Sequence, residues 1–220
     1  MQALLRIPRE QVGLASAAVA ASALCWAWSL HAAAGMHHGA SLWPLFAMWA
    51  VMMAGMMIPP ELPNAIGLSR GAFLVFLGGY LLPWVAFSLA AAAAHAALNG
   101  AGWMDHGMAL SGRALPAGIL ALAGISQLSP LKRRCLLRCR RLASPRGGPA
   151  LTQGLVSGLV SVGSCGVLML VLFVAGVMSA PAMLALTGLL VLERVLPVRQ
   201  RVSEVAGATL ILCAIWRLAL

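Results

Sequence analysis

The stretch LWPLFAMWAVMMAGMMIPP, from Leu42 to Pro60, decides the fold of this protein. It carries no charged side chain, and its length is close to the roughly 18 to 20 residues that an α-helix needs to cross a bilayer. A soluble core would instead give shorter apolar runs interrupted by polar faces. We therefore expect a transmembrane helix over 42–59, ended by the Pro59-Pro60 pair because proline interrupts helical hydrogen bonds.

Similar apolar runs continue on both sides of this helix, and together they predict one domain over residues 1–220. The predicted spans are 12–34, 42–59, 71–95, 114–131, 151–178, 182–197 and 203–220. The sixth is short and follows a break at Ser179-Ala180-Pro181, so the alternative is one bent or re-entrant element made of the fifth and sixth spans. The expected fold is an all-α polytopic transmembrane bundle of about six or seven helices.

The composition agrees with a chain embedded in a lipid bilayer. Hydrophobic residues make up 61% of the sequence and charged residues only 9%, which is more apolar surface than a soluble domain of this length can bury. The net charge of +10 arises mainly from short connections between apolar segments, so it indicates topology and argues against nucleic-acid binding. The five cysteines are scattered and odd in number, which argues against a secreted disulfide framework.

The basic residues predict the orientation of the bundle. A cytoplasmic N-terminus leaves only Arg113 and Arg217 of the 15 basic residues outside, as the positive-inside rule requires. This arrangement puts two connections that combine imidazole with thioether on the outer side, at Met36-His37-His38 and around His106. Such ligands together suit copper in either oxidation state, although both connections are also consistent with ordinary solvated loops.

Methionines recur along the second predicted helix at helical spacing. Met48, Met52 and Met56 lie four residues apart, and Met53 and Met57 follow one position later. This spacing aligns soft sulfur atoms on one broad helical face. The same stripe is also what a flexible core filler produces, so ligation and packing both remain open.

A pair of cysteines occurs in the basic segment on the predicted inner side. Cys135 and Cys139 are four residues apart, so in a helix they share one face, and the surrounding arginines favour thiolate over thiol. Two thiolates suit Cu(I), whereas structural zinc needs about two further ligands. The alternative is a basic anchor against anionic lipid.

Two further features concern residues inside the late apolar spans. Glu193 is acidic and near the inner end of its helix, which indicates either a functional carboxylate or a structural ion pair with a basic neighbour. The sequence Gly163-Ser164-Cys165-Gly166 invites comparison with an intramembrane serine protease, but no histidine follows His106 to serve as a general base. We therefore predict no enzymatic activity.

Several of these segments, in this order, resemble the bacterial family of small predicted metal-binding integral membrane proteins. The family's characterised role is copper supply to tyrosinase-type enzymes. The resemblance covers roughly residues 42–215 and is carried by MWAVMMAGMMIP at 48–59, YLLPW at 80–84, QLSPLK at 127–132 with Cys135 and Cys139, and Glu193-Arg194 near Pro197. It implies Met52, Met56, Met57, Cys135 and Cys139 as functional positions. The family often has a cysteine pair followed by tryptophan in the fifth helix, where this chain has only Cys165.

The resulting hypothesis is a copper chaperone of the inner (cytoplasmic) membrane that supplies Cu(I) to an extracytoplasmic copper enzyme. A metal transporter would use the same ligands but needs a continuous path across the bilayer. A structural subunit of a membrane complex, without a metal, is the third alternative.

Overall fold

The computed structural model describes residues 9–34, 41–65, 67–105, 108–130, 132, 148–177, 179–195 and 199–219. All regular structure in these ranges is helical, apart from one isolated β-bridge between Met104 and Leu110. The helices are α1 (Arg9–Ala34), α2 (Leu42–Ala65), α3 (Arg70–Gly100), α4 (Ala114–Leu128), α5 (Ala150–Met169), α6 (Val171–Ala175), α7 (Ala180–Val195) and α8 (Arg199–Ala219). The predicted all-α fold is confirmed.

Five apolar helical segments of this structure are long enough to cross a membrane. They are Val12–Ala32, Leu42–Ala65, Arg70–Gly100, Ala150–Ala175 and Gln200–Ala219, and α4 is a shorter apolar helix. Large apolar side chains such as Leu24, Leu159 and Trp216 remain exposed on the outside of the bundle. Lipid can cover such side chains, whereas water would leave them unfavourably solvated. The chain is a membrane protein built as a helix bundle.

Helix α2 lies at the centre of the bundle and packs against α1, α3 and α7. The prediction that Pro59-Pro60 ends this helix is wrong, because α2 continues to Ala65 with three prolines inside it. The missing proline amides leave the carbonyl groups of Gly55 and Met56 without their usual helical partners. Contacts of the last two turns, above all those of the buried Glu61, favour continuation of the helix despite this loss.

Helices α3 and α5 approach each other through glycines. A Cβ atom on Gly79 would lie 2.4 Å from the Leu151 carbonyl oxygen, and one on Gly154 would lie 2.1 Å from the Phe76 carbonyl oxygen. Gly158 is equally tight, with its virtual Cβ atom 2.4 Å from the Tyr80 carbonyl oxygen. These glycines let the two backbones touch, as small residues do in other membrane helix pairs.

The fifth and sixth predicted spans form separate helices. The first is divided at Leu170 into α5 and the short α6, and Gly176 then adopts a φ of 88° that only glycine reaches readily. Helix α7 begins at Ala180, with Pro181 in its first turn, where the missing amide costs nothing. The break at Ser179-Ala180-Pro181 therefore starts a new helix.

Candidate metal centre

The methionines of α2 are all buried inside the bundle. Met48, Met52, Met53 and Met56 have no exposed surface, and Met57 is 1% exposed. We call these five residues the methionine column. Helices α1, α3 and α7 pack around α2, so none of the five methionines is exposed on the outside of the bundle.

Helix α1 covers part of the column by direct contact with a small residue of α2. A Cβ atom on Gly55 would lie 2.5 Å from Cδ1 of Trp26 and 3.1 Å from Cβ of Cys25. Only glycine permits this approach. The glycine in the middle of the methionines thus allows α1 to pack close to the column.

Cys165 in α5 belongs to the same buried cluster as the methionine column. Its side chain is 2% exposed, and its Sγ atom lies 3.2 Å from the hydroxyl oxygen of Ser164. The hydrophobic core therefore contains thioether sulfur from α2, α5 and α7 and one thiol from α5. Sulfur of both kinds is the ligand type that selects Cu(I) over hard cations.

A buried polar network begins one turn beyond the column. The Glu61 carboxylate forms an ion pair with Arg194 of α7 and accepts hydrogen bonds from Ser157 at 2.6 Å and Asn64 at 2.9 Å. Arg194 also donates to the hydroxyl of Ser161 at 2.9 Å. Glu61 is fully buried, so these partners are what makes a charged carboxylate tolerable there.

Tyr80 extends this network into α3. Its hydroxyl lies 3.0 Å from Ser161 Oγ, and the tyrosine has no exposed surface. The network thereby connects α2, α3, α5 and α7 through polar side chains. We call this end of the bundle, which carries Glu61 and Arg194, the basic end.

A second buried ion pair lies at the basic end. Lys132 Nζ donates to Glu193 Oε1 at 2.8 Å, and Ser203 of α8 donates to the same oxygen at 2.8 Å. Both charged side chains are at most 2% exposed. The expected ion pair of Glu193 with a basic neighbour is present, and its partner is Lys132.

The peptide around Lys132 has the geometry of a helix start. Ser129 is extended, and its hydroxyl accepts a hydrogen bond from the Lys132 amide at 3.2 Å. Pro130 follows at the position where proline fits best, and both Pro130 and Lys132 are helical. The ion pair with Glu193 therefore anchors the chain at Lys132, which lies three residues before Cys135 in the sequence.

The opposite end of the bundle carries a histidine inside an aromatic environment. We call it the loop end, because residues 101–113 connect α3 to α4 there. His95 lies within α3, which runs on to Gly100, and its side chain is buried at 2% exposure. Its ring centroid lies 6.5 Å from that of Trp49 and 6.0 Å from that of Phe173.

The 101–113 connection folds onto the helix that carries Phe173. The Leu110 amide donates to the Phe173 carbonyl oxygen at 2.8 Å, and the Val177 amide donates to that of Met108 at 3.4 Å. Asp105 shapes the turn by accepting the Ala109 amide at 2.9 Å. The connection thus covers the residues around His95.

The structure unites four of the ten sequence-predicted ligands. Met52, Met56, Met57 and Cys165 share one buried cluster. The other six lie outside the described residues: Met36, His37, His38, His106, Cys135 and Cys139. Within the described part of the chain, no three side chains of histidine, cysteine, aspartate or glutamate come together as a metal site. The buried sulfur atoms of the hydrophobic core remain the candidate ligands among the described residues.

Two buried residues of this region were not predicted from the sequence as functional candidates. Glu61 was overlooked because Pro59-Pro60 was expected to end α2 before it. His95 stood at the end of the predicted span 71–95 and was not predicted as a ligand. A carboxylate directly after an apolar run, and an imidazole at the edge of one, are the signals that mark such residues.

Comparison with known proteins gives one match. A family model described as PpoB2, a copper chaperone, matches residues 46–217, which is more than three quarters of the chain. No curated protein and no solved structure matches.

Proposed function

Because the chain belongs to the PpoB2 copper chaperone family, we propose that it holds Cu(I) on the buried sulfur atoms of the methionine column and delivers it to a copper enzyme outside the cytoplasm. The observation that carries this proposal is the complete burial of Met52, Met56 and Met57 in one cluster with Cys165. Neutral thioethers in a water-excluded site favour a soft monovalent ion. Copper is the cargo, and no catalytic step by this chain is implied.

The remaining sulfur and imidazole ligands complete the proposal. Cys135 and Cys139 follow the segment that Lys132 fixes at the basic end. Met36, His37, His38 and His106 belong to connections that the basic residues assign to the outer side. With a cytoplasmic N-terminus in the inner membrane, the thiols face the cytoplasm and the Met/His connections face the client enzyme.

The length of the column favours holding copper over conducting it. Met48 and Met57 are nine residues apart, which corresponds to about 13 Å along a helix. The hydrocarbon core of a bilayer is roughly 30 Å thick. A transporter would need further ligands over the other half, where the described buried side chains are the ion-paired Glu61, Arg194, Lys132 and Glu193.

Leucine substitutions test the ligand role of the column. Leucine nearly matches methionine in volume, so each swap costs less than about 1.5 kcal/mol through packing. The triple variant Met52→Leu, Met56→Leu, Met57→Leu should fold but bind less Cu(I) and fail to activate a client copper enzyme. The matched control is Met169→Leu with Met183→Leu, two buried methionines of the same cluster outside α2.

The measured quantity is the number of copper ions bound per protein, determined by mass spectrometry on protein purified under anaerobic conditions. Normal copper content and normal client activity in the α2 triple variant would contradict the ligand assignment. Equal loss in the control variant would also contradict it, because packing would then explain both. Copper accumulation by proteoliposomes beyond the number of bound ions would instead indicate transport.

A further inference from the structure

His95 is a buried imidazole whose Nδ1 atom has no hydrogen-bond partner among the described residues. Its Nδ1 atom is inaccessible to solvent and has no hydrogen bond, although the residue is only 2% exposed. An unpaired polar atom in an apolar core is destabilising. Phenylalanine would fill this aromatic position without leaving a polar atom unpaired. Packing alone therefore does not explain why a histidine is present.

One aromatic neighbour of His95, Trp49, lies on the same helix as the methionine column. The ring of His95 contacts the ring of Trp49 in α2, and Met52 and Met53 follow Trp49 by three and four residues, on the same side of the helix. On α3, the buried Ala91 and Ala92 lie one turn from His95 on the matching side. Methionine side chains are long and flexible, so a thioether of α2 can turn toward the imidazole over these short alanines.

We propose that His95 is a copper ligand at the loop end of the methionine column, where its imidazole nitrogen and a thioether sulfur of α2 bind Cu(I) together. Imidazole is a common copper ligand, and a mixed nitrogen and thioether set is acceptable to Cu(I). The inference rests on the proposed function and adds a specific nitrogen ligand to it.

The charges around His95 favour a monovalent ion. Among the described residues, the buried carboxylates are Glu61 and Glu193, and both lie at the basic end. Glu61 is twelve residues from Trp49 on α2, or about 18 Å along the helix. The cost of burying an ion rises with the square of its charge, so neutral ligands suit Cu(I) better than Cu(II) or Zn(II). The π-faces of Trp49 and Phe173, which stack at 4.9 Å, add attraction for a cation.

The connection over this site links it to the loop end. Residues 101–113 are bonded to the backbone at Phe173 and Val177. The connection carries Met104 and Met108, and Phe173 contacts the His95 ring. Copper bound at His95 would therefore lie directly beneath a loop that has its own thioethers. This position makes His95 the ligand between the loop and the rest of the column.

The test compares two substitutions of histidine by phenylalanine in the full-length protein. His95→Phe removes the buried imidazole, whereas His31→Phe removes an exposed imidazole in α1 and serves as the control. Each protein is loaded with Cu(I) under anaerobic conditions, and X-ray absorption at the copper edge identifies nitrogen and sulfur neighbours. Competition with a Cu(I) chelator measures the affinity.

We expect nitrogen and sulfur neighbours in the parent and in His31→Phe. His95→Phe should show less nitrogen scattering than the His31→Phe control and bind Cu(I) at least tenfold more weakly, and excess Zn²⁺ should not displace Cu(I) from the parent. If His95→Phe does not fold, His95→Gln replaces it. Sulfur-only coordination in the parent, or an unchanged spectrum and affinity after substitution of His95, would overturn the role of His95 but leave the sulfur site standing. A parent protein that binds no Cu(I) would overturn the proposed function as well.

Discussion

Glu61 of α2 and Arg194 of α7 form a buried ion pair across the basic end of the bundle, although 133 residues separate them in sequence. Arg194 bonds at the same time to Ser161 of α5, and Glu61 bonds to Ser157 of the same helix. One carboxylate and one guanidinium thus join three helices. Their burial predicts that the pair is essential to the arrangement of the basic end.

Substitution Glu61→Gln should destabilise the protein by about 3 kcal/mol, because it removes the fully buried carboxylate that forms the ion pair with Arg194. Unfolding by denaturing detergent, followed by circular dichroism, measures this change. The control is Glu204→Gln, whose carboxylate accepts a hydrogen bond from Gln200 on the exposed surface of α8. Glu204→Gln should leave the midpoint of the unfolding transition unchanged. Equal stability of the two variants would show that Arg194 finds another partner.

Removing one partner of the Lys132–Glu193 ion pair should destabilise the protein, whereas removing both partners should be tolerated. Lys132→Met leaves a buried carboxylate with only Ser203 as a donor, so we expect a loss of about 3 kcal/mol. The double variant Lys132→Met, Glu193→Met removes both charges and should recover most of that loss. If the double variant is as unstable as the single one, the lysine acts through its packing and not through its charge.

Two adjacent glycines of α3 should respond in opposite ways to alanine. Gly79→Ala places a Cβ atom 2.4 Å from the backbone oxygen of Leu151 and should cost about 1 to 3 kcal/mol. Gly78 has open space around its virtual Cβ atom, so Gly78→Ala should stabilise the helix by up to about 1 kcal/mol. Thermal unfolding in detergent distinguishes them, and a similar effect at both positions would contradict the close backbone contact.

The two thiols of the basic segment are expected to contribute to copper binding. Cys135→Ser with Cys139→Ser should lower the copper content of a folded protein, because two thiolates are lost. Cys213→Ser, which removes an exposed thiol of α8, should leave copper content unchanged. Unchanged stoichiometry in the double variant would favour the role of this segment as a lipid anchor.

Labelling in intact cells tests the orientation. A cysteine introduced at His37 or His106 should react with a membrane-impermeant maleimide, and Cys135 and Cys139 should not. Labelling of the basic segment from outside would show that the bundle has the opposite orientation. The assignment of thiols to the cytoplasm and of Met/His connections to the client side would then be wrong.

Apolar run length predicted where α2 and α4 begin, but not where α2 and α3 end. The end of α2 was missed because the proline rule describes an isolated helix, whereas here Glu61 gains an ion pair that requires the helix to continue. Partners across the bundle were also not predictable. Lys132 and Glu193 are 61 residues apart, and only the packing of the helices brings them together.

The glycine contact between α3 and α5 also restricts where an ion could move through this protein. With the Gly154 position against the Phe76 carbonyl group and the Gly158 position against that of Tyr80, no gap for even a methyl group exists between the two backbones. A copper ion therefore cannot permeate along that interface without separating the helices. A route for copper through the bundle would have to lie away from these glycines, outside the α3–α5 contact.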